Sequence, residues 1–314
     1  MHHDVLIVGA GPSGTAAAWK LRQAGLKVLM LDRKAPPPKP CAGGLTIKTL
    51  DLMPYSVAGV IERVTGGVTI GVQSGETDHL RHFSHDDPIC AFSVRRIFDR
   101  FNFERTLAAG VDFETVSAID AIEGDDSRVA LIGGGRRFFA RYLIGADGAN
   151  STIRRLLAGP SADRGFALEG VVPYSAIGFE PNMELVFNVV AGGYGWLFPK
   201  GDHVNVGIYT SNPSVPLSKT QLRTYASRRL GAVDVEDIRG FPLAFGGARY
   251  PATHPRILLA GDAGGFGGVE PLLGDACGER IDDESHLHPP SLPARRAAGK
   301  SQQPAPGRLP LPGQ

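Results

Sequence analysis

The chain has 314 residues, 42% of them hydrophobic and 21% charged, and its 33 basic and 32 acidic side chains leave a formal net charge of +1. That balance excludes the basic excess of a nucleic-acid surface, and the length allows two domains with sizeable cores. Three scattered cysteines (Cys41, Cys90, Cys277) exclude a disulfide framework or a zinc site and fit a reducing, cytoplasmic setting.

No apolar run reaches the roughly 18 residues of a membrane span. The first apolar stretch, Asp4-Val5-Leu6-Ile7-Val8, reads as a short buried parallel strand rather than a signal peptide. GAGPSG follows, with Gly9, Gly11 and Gly14 in G-x-G-x-x-G spacing. The helical pattern TAAAWKLRQAG comes next, with Gly25 as its C-terminal stop, and then a second strand over 27–31 ending in Asp32. Gly9 permits the tight turn, Gly11 lets a pyrophosphate approach the backbone, and Gly14 lets helix and strand pack closely. The helix N-terminus offers free N–H groups to phosphate. Asp32 is placed to accept hydrogen bonds from an unphosphorylated ribose, which favours FAD or NAD over NADP. Together these features predict a dinucleotide site; the bland counterpart is an ordinary βαβ unit with a glycine turn.

Further along, KPCAGGL (39–45) sets a cysteine beside two glycines after a proline-rich turn. His79, His82 and His85 in DHLRHFSH read as a solvated loop, because Ser, Asp and Pro flank them and no Cys or Glu completes a metal site. Arg95 opens an R-x-x-F-D run closed by Asp99, and Val116 follows the strand after Ala109-Gly110. A strand from Phe139 enters the turn Gly145-Ala146-Asp147-Gly148, and helix-like NSTIRRLL follows. MELVFNVV (183–190) alternates as a strand. Tyr194, Trp196 and Phe198 alternate with Gly195 and Leu197, so strand geometry puts the three aromatics on one face. Lys200-Gly201-Asp202 reads as a turn and 204–208 as the returning strand. RILLA (256–260) is another strand, running into Gly261-Asp262-Ala263.

A Rossmann start, a mid-chain GADG and a late LLAGDA resemble FAD-dependent oxidoreductases of the p-hydroxybenzoate hydroxylase type. The resemblance implies an α/β fold: a Rossmann-type FAD-binding domain with an inserted antiparallel-sheet substrate domain. It implies that FAD is held by Gly9, Gly11, Ser13, Gly14, Asp32, Ala42, Gly44, Arg95, Val116, Asp262 and Gly274, with Asp262 on the ribityl chain. Within that superfamily, the Cys-x-x-Gly-Leu segment at 41–45 and the Tyr-x-Trp-x-Phe-Pro motif at 194–199 resemble the geranylgeranyl reductase family. That implies saturation of isolated carbon–carbon double bonds in a polyprenyl chain, with hydride from reduced FAD and a proton from elsewhere. Tyr194, Trp196 and Phe198 then form a substrate wall; the alternative is a plain core stripe. Cys41 is the candidate catalytic thiol, shaping the site or helping proton delivery; the alternative is a small buried hydrophobe.

The implied partners are an isoprenoid or other apolar small molecule, and NAD(P)H or a ferredoxin as electron donor. Peripheral membrane contact would follow from a lipid substrate. The expected flavin domain is discontinuous, over 1–50, 88–165 and 245–275, with the substrate domain over 51–87 and 166–244. After Gly274 the apolar periodicity ends and the composition becomes proline-rich without aromatics, which predicts a disordered or aberrant tail over 276–314. The abrupt change within a motif points to a frameshifted or truncated end; a natural disordered tail is the other explanation. Two other functions stay open: an aromatic monooxygenase on the same fold, and an inactive remnant.

Overall fold

The structure is a computed structural model that describes residues 3–34, 39–125, 127–159, 163–246 and 254–267. Gly274 and the 276–314 segment lie outside the described residues. In chain order the first half contains β1 (His3–Val8), α1 (Pro12–Gln23), β2 (Val28–Asp32), β3 (Gly44–Thr46), α2 (Ile47–Asp51), β4 (Arg63–Thr65), β5 (Gly67–Ser74), β6 (Thr77–Ser84), β7 (Cys90–Phe92), α3 (Arg95–Ala108) and β8 (Asp112–Thr115). Next come β9 (Ala121–Gly124), β10 (Val129–Gly133), β11 (Arg136–Gly145), α4 (Thr152–Ala158) and β12 (Arg164–Pro173). The remainder is α5 (Tyr174–Ile177), β13 (Glu184–Phe187), β14 (Gly193–Pro199), β15 (His203–Thr210), α6 (Lys219–Leu230), β16 (Glu236–Ala244) and β17 (Ile257–Leu259).

The first sheet has a parallel run β8-β2-β1-β11-β17. The other half of β11's free edge carries the antiparallel strands β10 and β9. Helices cover parallel strands, so their residues are buried on both sides. Val5, Leu6, Ile7, Met30 and Leu31 are all fully buried. Ala17 and Ala18 of α1 and Phe103 of α3 share a core with Val5, Ile7 and Met30. The small alanines let α1 lie close to the strands, which the run TAAAWK anticipates. Ile153 of α4 packs on the opposite face with Leu6, Leu29 and Leu143. Gly25, at φ +83, closes α1 in the left-handed conformation expected of it.

The second sheet runs β16-β12-β15-β14-β13-β5-β6. Every pair is antiparallel except β13–β5, which is parallel. Its outer face is covered by α6 through Leu222, Tyr225, Ala226 and Leu230, one helical stripe. A capping box between Ser218 and Gln221 starts that helix. The opposite face is aromatic and turns toward β7 and the 41–44 segment. A small sheet, β3-β7-β4, lies beside it. This is the expected α/β architecture, a Rossmann-type unit joined to a largely antiparallel sheet.

Two local expectations are corrected. His79 and His82 lie in β6, an exposed edge strand rather than a loop; its pairing with β5 from Gly67↔Ser84 to Ser74↔Thr77 supplies the backbone bonds that overrule the polar flanks. The 183–190 strand is shorter than its alternation suggests. β13 ends at Phe187 because Asn188 adopts φ +62.

Candidate active site

Three distant glycine motifs meet at the carboxyl ends of β1, β11 and β17, where open α/β sheets bind ligands. Gly9, at φ +113, lies so close to Ala146 that a Cβ there would strike the Ala146 carbonyl. A Cβ on Gly14 would strike the Gly9 carbonyl, and one on Gly261 would strike Ser13. Gly11 differs, because a Cβ there would meet nothing within 4 Å. Gly9 and Gly14 are therefore glycines for protein packing, while the backbone at Gly11 borders open space. No side chain caps the adjoining N-terminus of α1, which leaves its first-turn amides for an anion.

Asp32 ends β2 and accepts the Ala10 N–H at 2.7 Å and the Arg33 N–H at 2.6 Å. Its carboxylate thus braces the glycine loop. Val116 sits beside it, with its N–H donated to the Asp32 carbonyl at 3.0 Å and its side chain in the core. Asp147 is more than a turn residue. It accepts from Ser151 Oγ and from the Thr152 N–H at 2.7 Å, capping α4. Asp262, by contrast, does not cap a helix: it lies inside the 3-10 turn Gly261–Gly264 and pairs with Lys39 Nζ at 2.6 Å.

A second cluster surrounds Cys41, between the aromatic face of the second sheet and α3. Gly43, buried at φ +68, accepts the Ser93 N–H at 2.9 Å, and a Cβ on it would strike the Ser93 carbonyl. Gly44 pairs with Phe92 and lies against the Phe198 ring. The bare backbone of KPCAGGL is thus required first by protein neighbours. Lys200 Nζ donates to the Ala42 carbonyl at 2.6 Å and sits 4.9 Å from the Phe92 ring centroid. Lys200 is 2% exposed, so the residue expected only as part of a turn reaches into the interior instead. Burial draws its ammonium down to about 8.

Arg95, the first residue of α3, is a half-buried, paired charge rather than a solvated one. Its guanidinium binds both Asp99 oxygens, at 2.9 and 3.0 Å, and also lies against the Cys41 side chain. These partners hold it charged despite burial. Tyr194, Trp196 and Phe198 share one face of β14, with successive ring centroids 6.1 and 6.3 Å apart. Gly207, opposite Trp196, leaves room for the indole, whose Nε1 donates to Asn205 Oδ1 at 2.7 Å. Leu197 faces the other core, as the alternation predicts.

Glu169 was not anticipated. It lies on β12, on the same face as Ala167, and is 7% exposed. The Asn205 side chain and the Cys41 backbone lie beside it and favour its charged form, while its Oε2 is buried with no hydrogen-bond partner. Burial pushes its carboxyl up to about 7, against the pull of Asn205, Arg95 and Lys200. The sequence signal was a lone acid within the apolar strand GFALEGVV, at an inward position. Lys39 carried no such signal, because its partner lies 223 residues away.

The family model for an FAD binding domain matches residues 2–165. Digeranylgeranylglycerophospholipid reductase 1 of Methanopyrus kandleri is 30% identical over 301 residues, covering 87% of this chain and 76% of that protein. A geranylgeranyl bacteriochlorophyll reductase-like protein of Thermoplasma acidophilum superposes with a TM-score of 0.71 at 22% identity, covering 84% of this chain and 71% of that one. The flavin-dependent brominase Bmp2 shares the fold at a TM-score of 0.63 and 18% identity, over 84% of this chain and 72% of its own. The open backbone at Gly11, the uncapped α1 and the convergence of the three motifs suit a dinucleotide with a pyrophosphate. The chain belongs to the FAD-binding flavoprotein oxidoreductases, within the geranylgeranyl reductase family, and its cofactor is FAD.

Proposed function

We propose that the chain saturates carbon–carbon double bonds of a polyprenyl chain. The observation that carries this reading is the aromatic face of β14, with Tyr194, Trp196 and Phe198 turned toward the Cys41–Ala42 segment. In it, Gly9, Gly11, Ser13, Gly14, Asp32, Val116 and Asp262 hold the nucleotide half of FAD. Ala42, Gly44 and Arg95 border its reactive half, and Gly274 belongs to the same set. FAD, when bound and reduced, supplies hydride. The substrate domain comprises 51–87 and 166–244.

The chain's own residues bind, orient and keep the chamber dry. The three rings give a flat-sided, largely apolar wall that suits an isoprene unit, and the Trp196 N–H is already engaged by Asn205. The Trp196–Asn205 bond fixes the indole, and the tilted packing of Phe92 on Phe198, 5.3 Å between centroids, holds the wall's end. Lys200 ties the β14–β15 hairpin to the 41–44 segment, so wall and cofactor loop keep one spacing. Cys41 shapes the chamber from the loop side, against Arg95. In this reading Cys41→Ala keeps flavin and loses most alkene reduction. NAD(P)H or a ferredoxin supplies electrons, and whichever bleaches the bound flavin anaerobically identifies itself. A lipid-borne substrate requires contact with a membrane surface; among the described residues no helix is long and apolar enough to cross one.

The test is to incubate the reduced holoprotein, without oxygen, with geranylgeranyl diphosphate and with a geranylgeranylated lipid, and to weigh the products. A gain of two hydrogens per double bond supports the reading. Unchanged prenyl chains, with oxygen-dependent turnover of an aromatic compound instead, contradict it.

A further inference from the structure

The chamber contains a titratable group that the binding and positioning roles above leave unused. Glu169 projects from β12 onto the face that carries the aromatic wall, and the β12–β15 register places it opposite Gly207, which is itself opposite Trp196. It contacts the backbone of Cys41 and the side chain of Asn205, which in turn accepts from Trp196. The carboxyl therefore touches both walls of the chamber, the loop and the aromatic sheet. Its Oε2 is buried and lacks a partner, although an acceptor oxygen left so costs about 1–3 kcal/mol. A proton on that oxygen removes most of the cost, because a neutral acid is cheaper to bury than a carboxylate.

We infer that Glu169 is the proton donor of the chamber, delivering its proton to the alkene carbon that does not receive hydride. This rests on the polyprenyl-reductase reading. Reduced flavin is the reductant, and its hydride makes one new C–H bond. The alkene π pair makes the other, to the Glu169 proton, as the Glu169 O–H bond breaks and its electron pair stays on the carboxylate. A proton from solvent restores Glu169 once the product has left and the chamber is open to water. Arg95 from α3 and Lys200 from the β14–β15 hairpin face the carboxyl, with the Cys41 thiol on the loop between them, while Arg239, the register partner of Glu169 on β16, is exposed and pairs with Asp237. Both cations favour the carboxylate left after transfer. The raised carboxyl, near 7, is matched to giving up a proton at neutral pH. Tyr194 is a weaker candidate, since burial raises its phenol further still, and the Lys200 ammonium is engaged by Ala42 and Phe92.

The experiment compares wild type, Glu169→Gln and Glu169→Asp, each with FAD content and thermal midpoint checked. Infrared difference spectra across a pH titration give a readout independent of turnover. We expect a protonated-carboxyl band in wild type that titrates near neutrality and is missing in Glu169→Gln. We expect Glu169→Gln to bind FAD normally and to lose on the order of a hundredfold in alkene reduction. Glu169→Asp recovers part of the rate, and the wild-type rate falls above neutral pH while that of Glu169→Gln is flat. A Glu169→Gln rate within about threefold of wild type, or no titrating band in wild type, overturns the inference. A titrating band in a wild-type protein that reduces no prenyl chain overturns the reading of the reaction alone and sustains Glu169 as the chamber's proton store.

Discussion

Lys39 donates to the Asp262 carboxylate at 2.6 Å, joining the loop after β2 to the turn after β17 across 223 residues of sequence. A Cβ on Gly148 would lie 3.8 Å from the same ammonium, so the turns after β11 and β17 border one cation. The pair is partly exposed, at 36% and 20% for the two side chains, and such pairs contribute less than about 1 kcal/mol to stability. If Asp262 holds FAD, Asp262→Ala leaves the unfolding midpoint nearly unchanged and weakens FAD roughly tenfold or more, the value of a charged hydrogen bond. Equal FAD affinity by titration would remove Asp262 from the cofactor site.

The glycines of GAGPSG separate into two kinds. Gly14→Ala drives a methyl into the Gly9 carbonyl and destabilises the apoprotein by about 1–3 kcal/mol, the usual cost of overpacking. Gly11→Ala meets no protein atom, so apoprotein stability stays within about 0.5 kcal/mol. If Gly11 borders the FAD pyrophosphate, FAD binding nevertheless falls, because the methyl takes the space the pyrophosphate needs. Urea unfolding with and without FAD distinguishes the two; identical behaviour of the variants would contradict this division.

Arg229 of α6 holds Glu184 of β13 through two bonds of 2.7 Å, and Tyr225 OH also donates to that carboxylate. Arg229→Met leaves Glu184 buried with the phenol alone and costs about 3–5 kcal/mol. The double variant Arg229→Met/Glu184→Met recovers most of the loss, since the packing volume stays and the stranded charge goes. A loss under about 1 kcal/mol in the single variant would mean that the pair is solvated.

Glu169 also predicts a pH dependence of stability. Its folded carboxyl titrates near 7 against an ordinary 4.5, so the native state binds a proton that the unfolded chain releases. The contribution is complete below about 4.5 and is lost as pH rises to about 7. It amounts to roughly 3 kcal/mol across that window. Glu169→Gln therefore gains on wild type as pH rises from about 5 to 8. Parallel stability curves for the two proteins would show that the carboxyl is already ionised in the folded state.

The Rossmann unit was legible because each of its parts is local: a strand of buried residues, a glycine turn, an alanine-rich helix and Asp32 follow within one short segment. The aromatic wall was equally readable, since the alternation of Tyr194, Trp196 and Phe198 fixes their common face whatever the sheet around them. The roles of Lys39, Lys200 and Glu169 were not, because each depends on pairing across the chain. Arg95 and Asp99 show the intermediate case. Their spacing of four was visible, but only the packing of α3 turns it into a buried bidentate pair. For β6 the local polar flanks misled, since an edge strand needs only one partner's backbone.

The proposed alkene reduction takes place against the aromatic face of β14. Its most direct test is anaerobic stopped-flow mixing of the photoreduced holoprotein with a geranylgeranyl compound, following the return of the oxidised-flavin absorbance. Re-oxidation by the prenyl chain is expected in wild type, with a rate at least about tenfold lower in Trp196→Ala with FAD still bound. A flavin that stays reduced until oxygen is admitted would contradict it.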